Sequence, residues 1–141
     1  MTQILKKSAP ALNIRVGHQA RELILKEGLQ AHHVDTIPGA AGGPKGIGLT
    51  GLDQTIFGDF LPQAKQRRFL IGSSVGAWRF AGIVAQGEKK GPEKLAELYT
   101  HLPFHKKMKI ADIEKISRDM LAGILENKSQ QLLDHPDYHL T

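Results

Sequence analysis

Cysteine is missing altogether from the 141 residues, which excludes disulfides and thiolate metal sites and fits a reducing compartment. Long apolar runs are missing too, none reaching the ~18–20 residues of a membrane-spanning helix. Residues 1–10 carry lysines but no apolar stretch behind them, which argues against a secretory leader. A cytoplasmic location is the expectation from these absences. There is no Walker loop, because Lys45 is followed by Gly46 where serine or threonine is needed. Nucleic-acid motifs, internal repeats and low-complexity tracts are lacking, and no nucleic-acid partner is expected. What is present is ordinary globular material, 40% hydrophobic and 23% charged, enough for one domain over 1–141 with a real core and no internal boundary. The net charge of +5 suits peripheral contact with an anionic membrane surface.

Hydrophobic periodicity predicts alternating elements. A helix is expected over 16–29, with Arg21, Glu22, Lys26 and Glu27 in water, Leu23, Ile24 and Leu25 on the apolar side, and Gly28 as terminator. A short strand follows at 34–37 and a helix at 45–57. Residues 60–68 read as a loop, 68–71 as a second strand and 75–86 as a buried helix. A polar turn at 87–91 leads to a helix from Pro92 to about His101. Residues 101–109 read as irregular, and 112–127 as amphipathic, with Ile113, Ile116, Met120, Ile124 and Leu125 on one side. A helix ends near Leu133, and Tyr138 begins an extended segment after Pro136. This α/β order predicts a parallel sheet with helices on both faces, and right-handed crossovers that bring both strand–helix turns to one carboxyl edge.

Those two turns carry the chemistry. Gly72-Ser73-Ser74-Val75-Gly76 follows the apolar Phe69-Leu70-Ile71 and precedes the helix-like Ala77-Trp78-Arg79-Phe80-Ala81. This is the G-x-S-x-G nucleophile elbow in its strand–turn–helix setting. A strained residue at the tip lifts its hydroxyl clear of the sheet, and glycine at 72 and 76 lets the turn close. The spacing puts Ser74, not Ser73, at the centre. Upstream, Gly39-Ala40-Ala41-Gly42-Gly43-Pro44-Lys45-Gly46 links the first strand to the next helix. Backbone N–H groups exposed in such a turn hold either a phosphate or the oxyanion of an acyl-transfer intermediate. Pro44 has no N–H to offer, so the donors are Gly42, Gly43, Lys45 or Gly46.

The ordered pair of turns resembles the patatin-like phospholipases. Ala41-Gly42-Gly43-Pro44-Lys45-Gly46 is similar to their G-G-G-x-[R/K]-G oxyanion loop, with Ala41 where the first glycine stands, and Gly72 to Gly76 is similar to their serine elbow. The likeness is strong over 34–85 and loose outside it. It implies a patatin-like α/β fold and hydrolysis of lipid acyl esters by a Ser–Asp dyad. Ser74 would be the nucleophile, Gly42, Gly43 and Lys45 the oxyanion hole, Gly72 and Gly76 the elbow. No cofactor and no metal are implied. In the family the aspartate lies in a late Asp-Gly-Gly or Asp-Gly-Ala motif. None of Asp35, Asp53, Asp59, Asp112, Asp119, Asp134 and Asp137 is followed by glycine. The chain is therefore expected to be the N-terminal part of a longer catalytic domain, its aspartate supplied from outside. The alternatives are an inactive fragment or interaction module, an acyltransferase of the same fold, and a glycine loop that binds a nucleotide phosphate.

The other candidates each have a plainer reading. Lys65, Arg67 and Arg68 could meet lipid phosphates or simply edge a solvated loop. Lys106, Lys107 and Lys109, with Met108 and Phe104, form a membrane-docking patch or an exposed loop. His32, His33, His135 and His139 raise a metal site or a general base, but Pro136 interrupts the spacing of the last two. Trp78 is core packing or a substrate platform, and Lys45 steers an anionic head group or lies on the surface.

Overall fold

The structure, a computed structural model, describes residues 12–103 and 107–141. The described residues fall into two compact units, one ending at Gln30 and one from Ala31 to Thr141, a division with no marker in composition. In the first, α1 (His18–Glu27) ends at Gly28, whose φ is 77°. No residue of α1 is buried, so Leu23, Ile24 and Leu25 do not form the packed side expected of them.

The second unit carries the sheet. β1 (Thr36–Gly39), β2 (Arg68–Gly72) and β3 (Tyr138–Leu140) are all parallel, in the order β1-β2-β3. Thr36 pairs with Phe69, Gly39 with Gly72, and Arg68 with Tyr138. The helical span after β1 is not one α-helix. It runs as a 3-10 helix Gly43–Leu49, α2 (Thr50–Thr55), a π-helical stretch Ile56–Phe60 and a last 3-10 turn Leu61–Gln63. Gly46, Gly48 and Gly51 supply little helix propensity there, so neighbouring packing decides the winding. The loop expected from Phe60 begins only at Ala64, because the winding runs on through Leu61–Gln63, where Leu61 is fully buried. α3 (Val75–Gln86) has the bounds read from the sequence. α4 (Lys90–Thr100), α5 (Ile110–Leu125) and α6 (Ser129–Leu133) follow.

α3 lies between two hydrophobic layers. Toward the sheet, Phe80, Ile83 and Val84 pack with Leu70, Phe57 and Leu61. On its other side, Val75 packs with Leu95 of α4 and Met120 and Ile124 of α5, while Trp78 joins Leu98 and Tyr99 at the margin. A helix covered on two sides must be apolar nearly all round, and the nine buried residues of α3 show why its stripe is so wide.

Among the described residues of this unit, the sheet is covered on one face only. Arg68 and Leu70 of β2 are buried, but Phe69 is 47% and Ile71 51% exposed. The expectation of helices on both faces is thus corrected. Successive right-handed crossovers that step the same way along a sheet put all their helices on one side. Covering the second face needs a reversal of strand order, and β1-β2-β3 has none.

Arg68 is neither a lipid contact nor a loop residue. Its side chain is 98% hidden, with 2% exposed. Nε donates to Val34 O (2.9 Å), and Nη2 to Ala31 O, Leu61 O and Ala64 O (3.1, 3.1 and 2.9 Å). Lys65 and Arg67 are exposed, in keeping with a solvated edge. Of the basic patch around Met108, Lys107 and Lys109 are exposed. Phe104 and Lys106 lie outside the described residues.

Candidate functional site

The end of β2 delivers the elbow. Ser74 has φ 53° and ψ −125°, a region that non-glycine residues occupy only under constraint, and it is exposed. Its own carbonyl starts α3, accepting from Ala77 N (3.0 Å) and Trp78 N (3.2 Å). The flanking glycines are required by contact. A Cβ at Gly72 would collide with the backbone of Ala77, and one at Gly76 with the carbonyl of Gly39. The tip is therefore held from below by backbone that leaves no room to relax.

The same contacts fix the upstream turn beside the elbow. Ser73 N donates to Gly39 O (3.0 Å), joining the last residue of β1 to the elbow. Gly46 sits so near Val75 that an added Cβ would lie 2.8 Å from its Cγ2. Both turns thus share one edge of the sheet, as their order in the sequence predicts. Gly43 has φ 55°, and an added Cβ there would stand 3.5 Å from the Tyr99 hydroxyl.

The N–H groups are unevenly engaged. Lys45 N donates to Gly42 O (3.3 Å), closing the turn, so that amide is occupied. Among the described residues no hydrogen bond is donated by the amides of Gly42, Gly43 or Val75. Val75 went unnoticed in the sequence; its signal is its place, since the amide after an elbow nucleophile is a standard oxyanion donor. The Lys45 side chain is exposed. Ser74 Oγ has no hydrogen-bond partner among the described residues. Gly46, Gly48 and Gly51 do stand in G-x-G-x-x-G spacing, but inside the helical span after the turn, where they form no strand-to-helix phosphate loop.

His135 and His139 are both engaged around β3. His135 Nδ1 accepts from Asp137 N (3.2 Å) and Tyr138 N (3.1 Å), which makes His135 the acceptor that turns the chain into β3. His139 pairs with Phe69 in register, and their rings lie 6.0 Å apart. Trp78 is half-buried beside Tyr99 (6.2 Å between rings), so packing is part of its role. Burial pushes the His135 imidazole below its ordinary 6.5, with His139 adding to the effect and Asp137 opposing it. The unfolded chain then holds more protons than the folded one from pH 6.5 downward, so stability falls as pH drops through that window to the folded value. Asn at 135 can accept the same two amides without titrating. Replacing His135→Asn is expected to flatten this part of the melting-temperature profile between about pH 7 and 5. An unchanged slope in a pH series of thermal melts would show that another group sets it.

No protein-family model, curated protein or solved structure matches this chain. Among the described residues, no helix is long and apolar enough to cross a membrane.

Proposed function

We propose that this chain carries the nucleophile and oxyanion half of a serine acyl-ester hydrolase of the patatin-like phospholipase type, acting on lipid or other acyl esters. The observation that carries the reading is the backbone of Ser74. An exposed serine at φ 53° and ψ −125°, between a parallel strand and a buried helix, is the conformation an elbow nucleophile requires. Ser74 Oγ attacks the ester carbonyl, and its proton passes to an aspartate supplied from outside these residues. The carbonyl oxygen becomes an oxyanion on the amides of Gly42, Gly43 and Val75. The alkoxide leaves with a proton, and water then cleaves the Ser74 acyl ester. Losing one such donor typically costs about 10²–10³ in rate. No cofactor takes part in this scheme, and the absence of cysteine suits a cytoplasmic setting.

One observation favours a second reading. Ser74 Oγ meets no base among the described residues, as expected of an inactive module. Fluorophosphonate labelling of the full-length protein separates the two. The probe's mass is expected on the peptide containing Ser74, lost in Ser74→Ala and kept in Ser73→Ala. A protein that stays unlabelled, or that carries the label on Ser73, ends the hydrolase reading.

A further inference from the structure

A buried ion pair lies behind the two turns and takes no part in the chemistry just described. Asp53 of α2 is 2% exposed and Arg79 of α3 is 8% exposed. Arg79 Nε donates to Asp53 Oδ2 (2.8 Å) and Nη2 to Asp53 Oδ1, a two-pronged guanidinium–carboxylate contact. Replacing such a pair by apolar side chains is often neutral or stabilising, so stability alone is a weak reason for burying it.

Its placement suggests another reason. Asp53 lies in the helical span that starts at Gly43, and Thr50 Oγ1 ties that span together by donating to Ile47 O (2.7 Å). Arg79 lies one helical turn beyond Val75. On its way to Asp53 the Arg79 stem passes Gly46, where an added Cβ would lie 3.5 Å from Arg79 Cδ and 2.8 Å from Val75 Cγ2. Gly46 is thus pinned by Val75 and by the Arg79 stem, and the Arg79 head holds the same span again at Asp53, two helical turns further on. Rotation or sliding of that span would move the Gly42 and Gly43 amides relative to Ser74.

We infer that Asp53 and Arg79 are positioning residues that set the distance between the glycine turn and the serine elbow. The inference rests on the reading of Ser74 as a nucleophile only for its kinetic consequence; the positional one stands without it. A point-to-point contact could be made by many pairs. Only a planar fork on a carboxylate fixes orientation as well as distance, and lysine at 79 would lack that.

The test uses Asp53→Asn, Arg79→Lys and the apolar pair Asp53→Leu with Arg79→Met, all in the full-length protein. Hydrogen exchange read by mass spectrometry should quicken in peptides covering 40–49 and stay unchanged in those from α5. The second-order rate of fluorophosphonate labelling at Ser74 should fall about 10–100-fold, since displacement by an ångström costs that much. With a short acyl ester, kcat should fall while KM holds. Wild-type exchange and labelling in a folded apolar pair would overturn the inference. Unfolding of all three variants would overturn it too, because the pair would then be scaffold. If wild-type Ser74 takes no label, the hydrolase reading fails while exchange over 40–49 still decides the positional role.

Discussion

Gly76→Ala is expected to lower stability by at least ~3 kcal/mol, a large share of the roughly 5–15 kcal/mol that holds a typical domain folded. The added methyl has nowhere to go. It would land on the carbonyl of Gly39, with the carbonyl of Ala40 3.0 Å away. Both obstacles are backbone, and Gly39 O already holds Ser73 N at 3.0 Å, so yielding there would break the joint between β1 and the elbow. For a unit of this size ~1 kcal/mol shifts the melting temperature by about 4–8 °C, so a drop of more than 10 °C is anticipated. Gly51→Ala is the control. Nothing lies within 4 Å of where a Cβ at Gly51 would stand, and α2 gains a better helix former, so a rise of ~0.5–1 kcal/mol is expected. Thermal melts followed by circular dichroism decide it. A Gly76→Ala protein that melts with the wild type would mean the elbow is not jammed against β1.

Arg68→Met is expected to cost about 3–5 kcal/mol. Methionine fills similar volume but donates nothing. The carbonyls of Ala31, Val34, Leu61 and Ala64 would lose their guanidinium donors in a place largely closed to water. These four carbonyls come from the segment leading into β1 and from the last turn before β2. Arg68 therefore couples two connections that the sheet ladder does not reach. Arg68→Lys should fall between, since one ammonium cannot span the same acceptors. Arg67→Met, at an exposed position, should stay within about 0.5 kcal/mol of the wild type. Urea unfolding measures all three, and an unshifted midpoint for Arg68→Met would refute the account.

Exposed apolar residues frame the remaining surface. Phe69 and Ile71 share their face with Pro38 and His139 by register. Phe69 and Ile71 are each about half exposed there.

Elements with short-range signals are legible in the chain. The apolar run before Gly72 and the two glycines around Ser74 were sufficient to place β2, the elbow and α3, because steric closure of a tight turn depends on residues a few positions apart. The same holds for β3, where Pro136 and the end of the preceding helix mark the change of direction. The remaining features come from three-dimensional packing. Arg68 reads as part of a basic loop cluster because the carbonyls that receive it lie up to 37 residues away. Asp53 and Arg79 are 26 residues apart, and no spacing rule links them. Lys45 looks like a third oxyanion donor until its amide is found closing the turn on Gly42. The bare sheet face follows from strand order, which the alternation of helices and strands leaves open. In each case the deciding energy comes from burial and pairing between distant segments, and a one-dimensional pattern carries no term for that.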